Sequence, residues 1–197
     1  MISAIVLAAG EGKRFGGTKQ IERLRGKPLV QYAVDAAAEA GIEDVVVVVG
    51  HDAERVRATV ELPFGARVVV NDRYAEGQST SLAAGLRELD VASAAAILLL
   101  ADQPGIAARH LRSLIETFDD LGRGAEILRI RFRDGPGPAM LARDVWEEAM
   151  SLAGDVGARA LFDADPARVR WVPFDEKAPP DVDRVADLER ALRSSRA

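Results

Sequence analysis

The sequence predicts an α/β fold of Rossmann-like type, with a mostly parallel central sheet and helices on both faces. Three observations carry this expectation. Residues 44–50 (DVVVVVG) and 94–101 (AAAILLLA) are too continuously apolar for strands with one wet face and suit strands buried on both sides. Segments of helical period alternate with these strands. A glycine-rich turn follows the first apolar strand, and ligands gather at that end of the strands in open α/β sheets.

Each element has its own local reason. Ile2, Ile5, Val6 and Leu7 form the first buried strand. The next helix, 28–40, opens on Pro28, whose fixed φ suits a first turn, and stops at Gly41. Strand 44–50, helix 52–60, strand 66–70, helix 79–89, strand 94–101, helix 110–121 and strand 126–132 continue the alternation. Beyond that point the pattern weakens. Residues 133–138 (RDGPGP) read as a turn, 144–152 and 156–162 as helices, 168–172 as a strand and 184–193 as a last helix. There is no internal repeat and no low-complexity linker, so a single domain over 1–197 is expected.

Composition narrows the function. A chain of 197 residues with 48% hydrophobic content can bury a large core without metal or disulfide support. It has no cysteine, which excludes thiol chemistry and Cys-ligated zinc. His51 and His110 stand far apart in sequence and do not suggest a histidine-rich metal site. The net charge of −5 argues against a nucleic-acid partner. The longest apolar run, residues 91–101 with Ser93 inside it, is too short to span a bilayer. No charged leader precedes a signal-type stretch, and a cytoplasmic location without membrane partners is expected.

Against this acidic background the basic cluster in the first loop stands out. Of four lysines, against twenty-two arginines, three (Lys13, Lys19 and Lys27) lie in or just after the loop. Gly10, Gly12, Gly16 and Gly17 let several amides point into one concavity, and Lys13, Arg14 and Lys19 add mobile positive charge. Such a loop suits a triphosphate. It is not a Walker loop, because Gly, four residues, then Gly-Lys-Ser/Thr does not occur. It is not the dinucleotide fingerprint either, since Phe15 stands where the third glycine belongs.

The pattern Leu7-Ala8-Ala9-Gly10, three residues, Arg14-Phe15-Gly16, then Lys19 resembles the signature of the MobA-like nucleotidyltransferases, and among them the molybdenum cofactor cytidylyltransferases. The resemblance implies a nucleotidyltransferase fold of the nucleotide-diphospho-sugar transferase-like kind. It also implies nucleotide contacts from Leu7, Ala8, Ala9, Gly10, Gly12, Lys13, Arg14 and Lys19, with Arg14, Lys19 and Asp102 in catalytic roles.

Four further landmarks bear on the site. Asp102 in Ala101-Asp102-Gln103-Pro104 follows a buried strand, and reads either as a helix N-cap or as a Mg²⁺ ligand near the first loop. The resemblance implies the metal role, through the family's Asp-x-Pro. Gly77 permits a tight turn, and Ser79 suits a helix cap; the resemblance implies nucleotide contacts for Gln78, Ser79 and Ser81. Near the C-terminus, Asp181-Val182-Asp183-Arg184-Val185-Ala186-Asp187 stands where relatives read Asp-Ile-Asp-Thr-Pro-Glu-Asp. Asp183 is there a second metal ligand or a helix cap. Residues 154–159 match the family's Gly-Asp-x-Gly-Ala-Arg and imply the acceptor side of the cleft. The family's Gly-His-Pro is absent, replaced by Gly135-Pro136-Gly137-Pro138, which opens the question of a different acceptor.

The reaction implied is Mg²⁺-dependent transfer of an NMP unit from an NTP to a phosphorylated acceptor, with release of pyrophosphate and no protein nucleophile. Ala9 resembles cytidylyl-transferring members, whereas guanylyl-transferring relatives read Leu-Ala-Gly-Gly, so CTP is the expected donor. Molybdopterin is the acceptor that the resemblance implies, with a molybdoenzyme or its chaperone as a receiving partner. A guanylyltransferase and a sugar- or alcohol-phosphate nucleotidyltransferase stand as alternatives. Outside the enzymes, a nucleotide-binding module that delivers a cofactor is another.

Overall fold

The structure is a computed structural model that describes residues 1–122 and 124–193. The expected domain span of 1–197 includes positions 123 and 194–197, which lie outside the described residues. A central seven-stranded sheet runs through the fold. Its strands are β1 (Ile2–Ala8), β4 (Asp44–Val49), β5 (Arg67–Val70), β6 (Ala95–Leu100), β7 (Ile127–Arg131), β8 (Pro136–Ala142) and β9 (Val169–Pro173), in the order β5-β4-β1-β6-β8-β7-β9. A two-stranded ribbon, β2 (Arg23–Leu24) with β3 (Lys27–Pro28), stands outside it. The helices are α1 (Leu29–Glu39), α2 (Ala53–Thr59), α3 (Gln78–Arg87), α4 (Ala108–Asp120), α5 (Trp146–Ser151), α6 (Arg159–Ala164) and α7 (Val185–Arg193). Among the described residues no helix is long and apolar enough to cross a membrane.

The continuous apolar strands are divided by their period of two. On one face Ala4, Val6, Val45, Val47, Val49, Ile97 and Leu99 pack with Val30 and Val34 of α1 and with Leu111, Leu114 and Phe118 of α4. On the other, Ile5, Val46, Val48, Ala96 and Leu98 pack with Leu82 and Leu86 of α3 and Trp146 of α5. A residue on either side of a strand such as 44–49 therefore meets a helix, which is why the run contains no polar alternation.

β4 and β6 flank β1 on opposite sides, all three parallel, so the chain reverses its direction of build between β1 and β6. The carboxyl ends of these strands are a topological switch point, and a crevice opens there by construction. At the opposite end the same strands are clasped by Asp44, 7% exposed. Its carboxylate accepts from Ser3 Oγ at 2.5 Å, the Asp90 amide at 3.0 Å and Arg67 Nη1 at 2.7 Å, and Ser3 also meets Ser93.

The structure corrects the expectation over 133–138. The reversal is confined to the residues before Pro136, and Pro136–Ala142 forms β8, antiparallel to both β6 and β7. Pairing to β6 ends at Leu98 with Ala139, so the two prolines precede the stretch where β6 needs a donor. A register shift against β7 between Arg129 and Arg131 absorbs the irregularity on the other side. Elsewhere the expected elements are found with boundary shifts, the largest at α6, which starts at Arg159 rather than 156.

His110 has a structural place. It is fully buried, its Nδ1 accepts from the Ala107 amide at 3.0 Å, and Nε2 therefore carries the hydrogen shared with Glu176 at 2.6 Å.

Burial opposes ionisation of Asp44, but the bonds from Ser3, the Asp90 amide and Arg67 outweigh it and hold its carboxyl below the ordinary 3.8. A depressed carboxyl stabilises the fold above the unfolded value and loses that contribution as pH falls through its folded one. Asp44→Asn is expected to cost about 1–3 kcal/mol in urea unfolding at pH 7. The gap to wild type should close as pH is taken below 3.8; a constant gap down to pH 2 would remove the charge from the explanation.

Candidate active site

The loop after β1 is shaped by Gly12. With φ at +63° it places its carbonyl under two amides, those of Phe15 at 2.8 Å and Gly16 at 2.9 Å. A Cβ there would lie 2.1 Å from the Gly17 carbonyl oxygen, so only glycine fits. Gln20 Nε2 holds the Gly10 carbonyl at 2.6 Å, and Thr18 Oγ1 donates to Asp52 at 2.8 Å beside the start of α2. The amides of residues 10–13 donate to no described residue and remain for a ligand.

Lys19 is the centre of the charge arrangement. It opens a short 3₁₀ turn and extends its Nζ to Asp102 Oδ2 at 2.6 Å and Asp183 Oδ1 at 3.1 Å. Burial opposes its charge, yet the Asp102 and Asp183 carboxylates outweigh this and hold the ammonium above the ordinary 10.5. Arg14 reaches the other Asp183 oxygen at 3.3 Å with its side chain 74% exposed. Lys13, equally open, pairs with Glu11 at 2.6 Å.

The two aspartates arrive by different routes. Asp102 stands just beyond β6 and offers no bond to a following amide, so it is not acting as a cap. Its carbonyl accepts the Val182 amide at 2.8 Å, and this bond brings residues 181–183 alongside. The amides leading into α7, those of Asp183 and Arg184, are held by Asp187, which leaves the Asp183 carboxylate to the two cations. Asp181 points elsewhere and accepts from Gln103 at 2.9 Å. Burial chiefly, with the charges of Asp102 and Asp183 adding, pushes its carboxyl above the ordinary range.

A cleft of about 550 Å³ lies over these groups. Leu7, Ala9, Gly10, Gly12, Lys13, Arg14, Lys19, Gln78, Ser81, Asp102 and Asp183 all line it. Two residues of the expected set do not. Ala8 is 1% exposed in the core beneath α1, and Ser79 is fully buried with its hydroxyl donating to the Gly154 carbonyl at 2.8 Å. The sequence reading missed Gln20 and Tyr74, which also line the cleft, as does Asp155 of the 154–159 stretch expected on its acceptor side. Gly77, at φ +122°, would bring a Cβ within 2.2 Å of the Gly154 carbonyl, so the two turns must touch.

A second cavity of about 620 Å³ adjoins the first and shares Leu7, Gln78 and Leu100 with it. Its walls include Leu82, Leu98, Phe132 and Phe162, together with Gly157, Ala158 and Arg159 of the 154–159 segment. Gly137 lines it too. A Cβ at Gly137 would meet Phe132 Cε2 at 2.6 Å and Ile130 Cβ at 2.9 Å, so aromatic and aliphatic carbon fills the space beside this turn.

Among the described residues, three buried side-chain polar atoms lack a hydrogen-bond partner: Gln20 Oε1, Asp102 Oδ1 and Arg129 Nε. Buried polar atoms are rarely left so, and all three belong to residues lining these two cavities. For a divalent cation the fit is favourable. One ammonium between two carboxylates leaves a negative charge that Arg14 only partly answers, and Asp102 Oδ1 keeps a free acceptor. No group of three acidic or histidine side chains converges among the described residues, so protein ligands beyond this pair would be few.

The chain is similar to several known proteins. The bifunctional protein GlmU of Sorangium cellulosum is 32% identical over 151 residues, 73% of this chain, and the chain spans only 32% of its length. The nicotine blue oxidoreductase of Paenarthrobacter nicotinovorans is 31% identical over 97% of this chain and 96% of its own. Among solved structures, the homologue of Mycobacterium tuberculosis Rv0371c from Mycobacterium sp. strain JC1 superposes with a TM-score of 0.84 at 32% identity, covering 98% of this chain and 96% of that one. Rv0371c of M. tuberculosis H37Rv in complex with manganese gives 0.79 at 31% identity, with 97% of each chain covered. The profile of the MobA-like NTP transferase domain matches residues 4–169, and the chain belongs to that family.

Proposed function

We propose that the chain is a Mg²⁺-dependent cytidylyltransferase that moves CMP from CTP to a phosphorylated acceptor, molybdopterin by resemblance, and releases pyrophosphate. The observation that carries this reading is the Lys19 ammonium held between Asp102 and Asp183 at the switch point, with Asp102 Oδ1 unpartnered. Mg²⁺, when held by Asp102 and Asp183 and by phosphate oxygens, would neutralise charge on the triphosphate. The manganese bound to the M. tuberculosis relative supports a divalent cation in the family.

The chain's own residues supply the rest. The free amides of 10–13 meet phosphate oxygens, and Arg14 and Lys13 are exposed enough to follow the β- and γ-phosphates. Lys19 Nζ has three donors, of which two are engaged, so one is left for a phosphate oxygen. An oxygen of the acceptor phosphate attacks the α-phosphorus in line. The new P–O bond forms as the bond to the β-phosphate oxygen breaks, and the leaving pyrophosphate keeps the electron pair. A phosphomonoester is already ionised at neutral pH, so no base is required.

CTP as donor is supported by Ala9, 5% exposed and part of the cleft wall, where a methyl group takes room beside the base. A guanylyltransferase, or a sugar- or alcohol-phosphate nucleotidyltransferase, keeps the same first cleft and differs in base or acceptor. A delivery module without turnover would not need a charge cluster poised around the triphosphate. The full-length likeness to the nicotine blue oxidoreductase favours a second reading, in which the second cavity serves a redox substrate. Pyrophosphate release from Mg²⁺, each NTP and a panel of phosphorylated acceptors, set beside redox turnover of nicotine blue, separates the two.

Asp102→Asn should lower transfer by about two orders of magnitude with an unchanged melting temperature, because it removes an anionic ligand and keeps the shape. A rate near wild type with the same Mg²⁺ dependence would leave Asp102 a structural role only. Arg14→Ala should weaken CTP binding about ten- to a hundredfold and CMP binding hardly at all, since a charge-assisted contact is worth roughly 1.5–3 kcal/mol. Calorimetric titration with both nucleotides reads this directly, and equal losses would detach Arg14 from the distal phosphates. In competition for limiting enzyme CTP should be preferred to GTP, and Ala9→Gly should narrow the ratio by about fivefold, the worth of about 1 kcal/mol for one methyl. An unchanged ratio would show that Ala9 does not meet the base.

A further inference from the structure

The second cavity contains a cation without an anion. Arg129, on β7, lies with its guanidinium carbon 4.7 Å from the centroid of the Phe162 ring and 5.7 Å from that of Trp171. Its Nε is buried with no partner, and among the described residues its guanidinium enters no ion pair. The neighbouring acids are engaged elsewhere. Asp163 is held by Arg159 at 3.2 Å, Asp134 accepts the Ala178 amide at 2.7 Å, and Asp181 accepts from Gln103. Burial, with the nearby charge of Arg159 adding, disfavours the charged form of Arg129, whereas Asp163 opposes this only in part. Ring faces recover part of that cost but give no hydrogen-bond acceptor to Nε.

We infer that Arg129 is the anion-binding residue of an acceptor subsite in the second cavity, taking a carboxylate or phosphate oxygen of a molecule whose apolar, flat body lies against the Phe132 and Phe162 side. A guanidinium with planar donors is the side chain for this task, and desolvation between two rings sharpens its preference for a charged over a neutral ligand. Arg159 lines the same cavity and adds positive field, although its own donor is shared with Asp163. The cavity joins the nucleotide cleft through Leu7, Gln78 and Leu100, so a molecule anchored on Arg129 can extend to the triphosphate side. As an acceptor site this rests on the transferase reading; as an anion site it does not.

Trp171 provides an optical reporter beside Arg129. Phenyl phosphate, with phenol as its neutral counterpart, is titrated into the wild-type chain while tryptophan fluorescence is followed. The expected result is a saturable change with phenyl phosphate and at least tenfold weaker binding of phenol. The response should vanish in Arg129→Gln, weaken in Arg129→Lys, survive in Arg14→Ala and be absent in Trp171→Phe. Thermal melting of each variant separates misfolding from lost binding; should Arg129→Gln not fold, the Lys variant carries the test. A response unchanged in both Arg129 variants, or one lost in Arg14→Ala and kept in Arg129→Gln, would overturn the inference by placing the probe elsewhere. If transfer is found, Arg129→Gln should raise the KM for the acceptor and leave that for the nucleotide alone. If no transfer is found and the fluorescence pattern holds, the anion site stands and the transferase reading fails.

Discussion

The bridge from Lys19 to Asp102 and Asp183 is the interaction on which the site depends. It joins residues 83 and 164 positions apart in sequence, and no local segment of this chain could hold such a cluster. Closing loops of that length costs several kcal/mol of chain entropy, more than the few kcal/mol that such part-buried charge pairs recover. The closure is therefore supplied by the sheet. β1 and β6 are neighbours in register from Ile2 with Ala95 to Leu7 with Leu100, so the loop after β1 faces Asp102 just beyond β6, and the Gln20 bond to the Gly10 carbonyl folds that loop back so that Lys19 stands there. Only Asp183 lies outside this scheme, and the Val182 amide on the Asp102 carbonyl brings it in.

The same sheet separates stability from reactivity. At its amino ends Asp44 is fully answered by Ser3, Arg67 and the Asp90 amide, and its carboxyl is held ionised. At its carboxyl ends charges are arranged with something left over: Asp102 Oδ1 free, Lys19 with a donor to spare, Arg14 mostly exposed. A fold that satisfied both ends equally would be more stable and would have nothing to offer a ligand.

Much of this was legible in the sequence because it is written in local chemistry. The doubly buried strands show as unbroken runs of Val, Leu and Ala, and the loop shows as glycines among three of the chain's four lysines. Asp183 was legible only through a C-terminal motif, with ligand and cap unresolved; the choice turns on Asp187 taking the amides at the entry to α7. β8 was not legible. Proline normally rules out an inner strand, and nothing local tells that Pro136 and Pro138 precede the β6 pairing. Ser79 was misplaced for a related reason, since a hydroxyl at a helix start looks the same whether it faces a cleft or the Gly154 carbonyl. Arg129 left no mark at all, because ILRIR reads as a half-exposed strand with its arginines in water.

The two cavities draw on different parts of the fold. The first is built by β1, β6 and the loops that follow them. The second is built by β8 set antiparallel between β6 and β7, by the aromatic side chains of Phe132 and Phe162, and by the turn at 154–159. Gln78 stands between them, its amide against Gly157, where a Cβ would lie 2.3 Å from Gln78 Oε1. The two cavities thus share a thin wall but are made from different lengths of chain. Side chains on β7 and β8 can change without disturbing the Lys19 bridge. On the proposed function, the donor end is then fixed by charge geometry, while the acceptor end is specified by which cation and which rings project from β7 and α6.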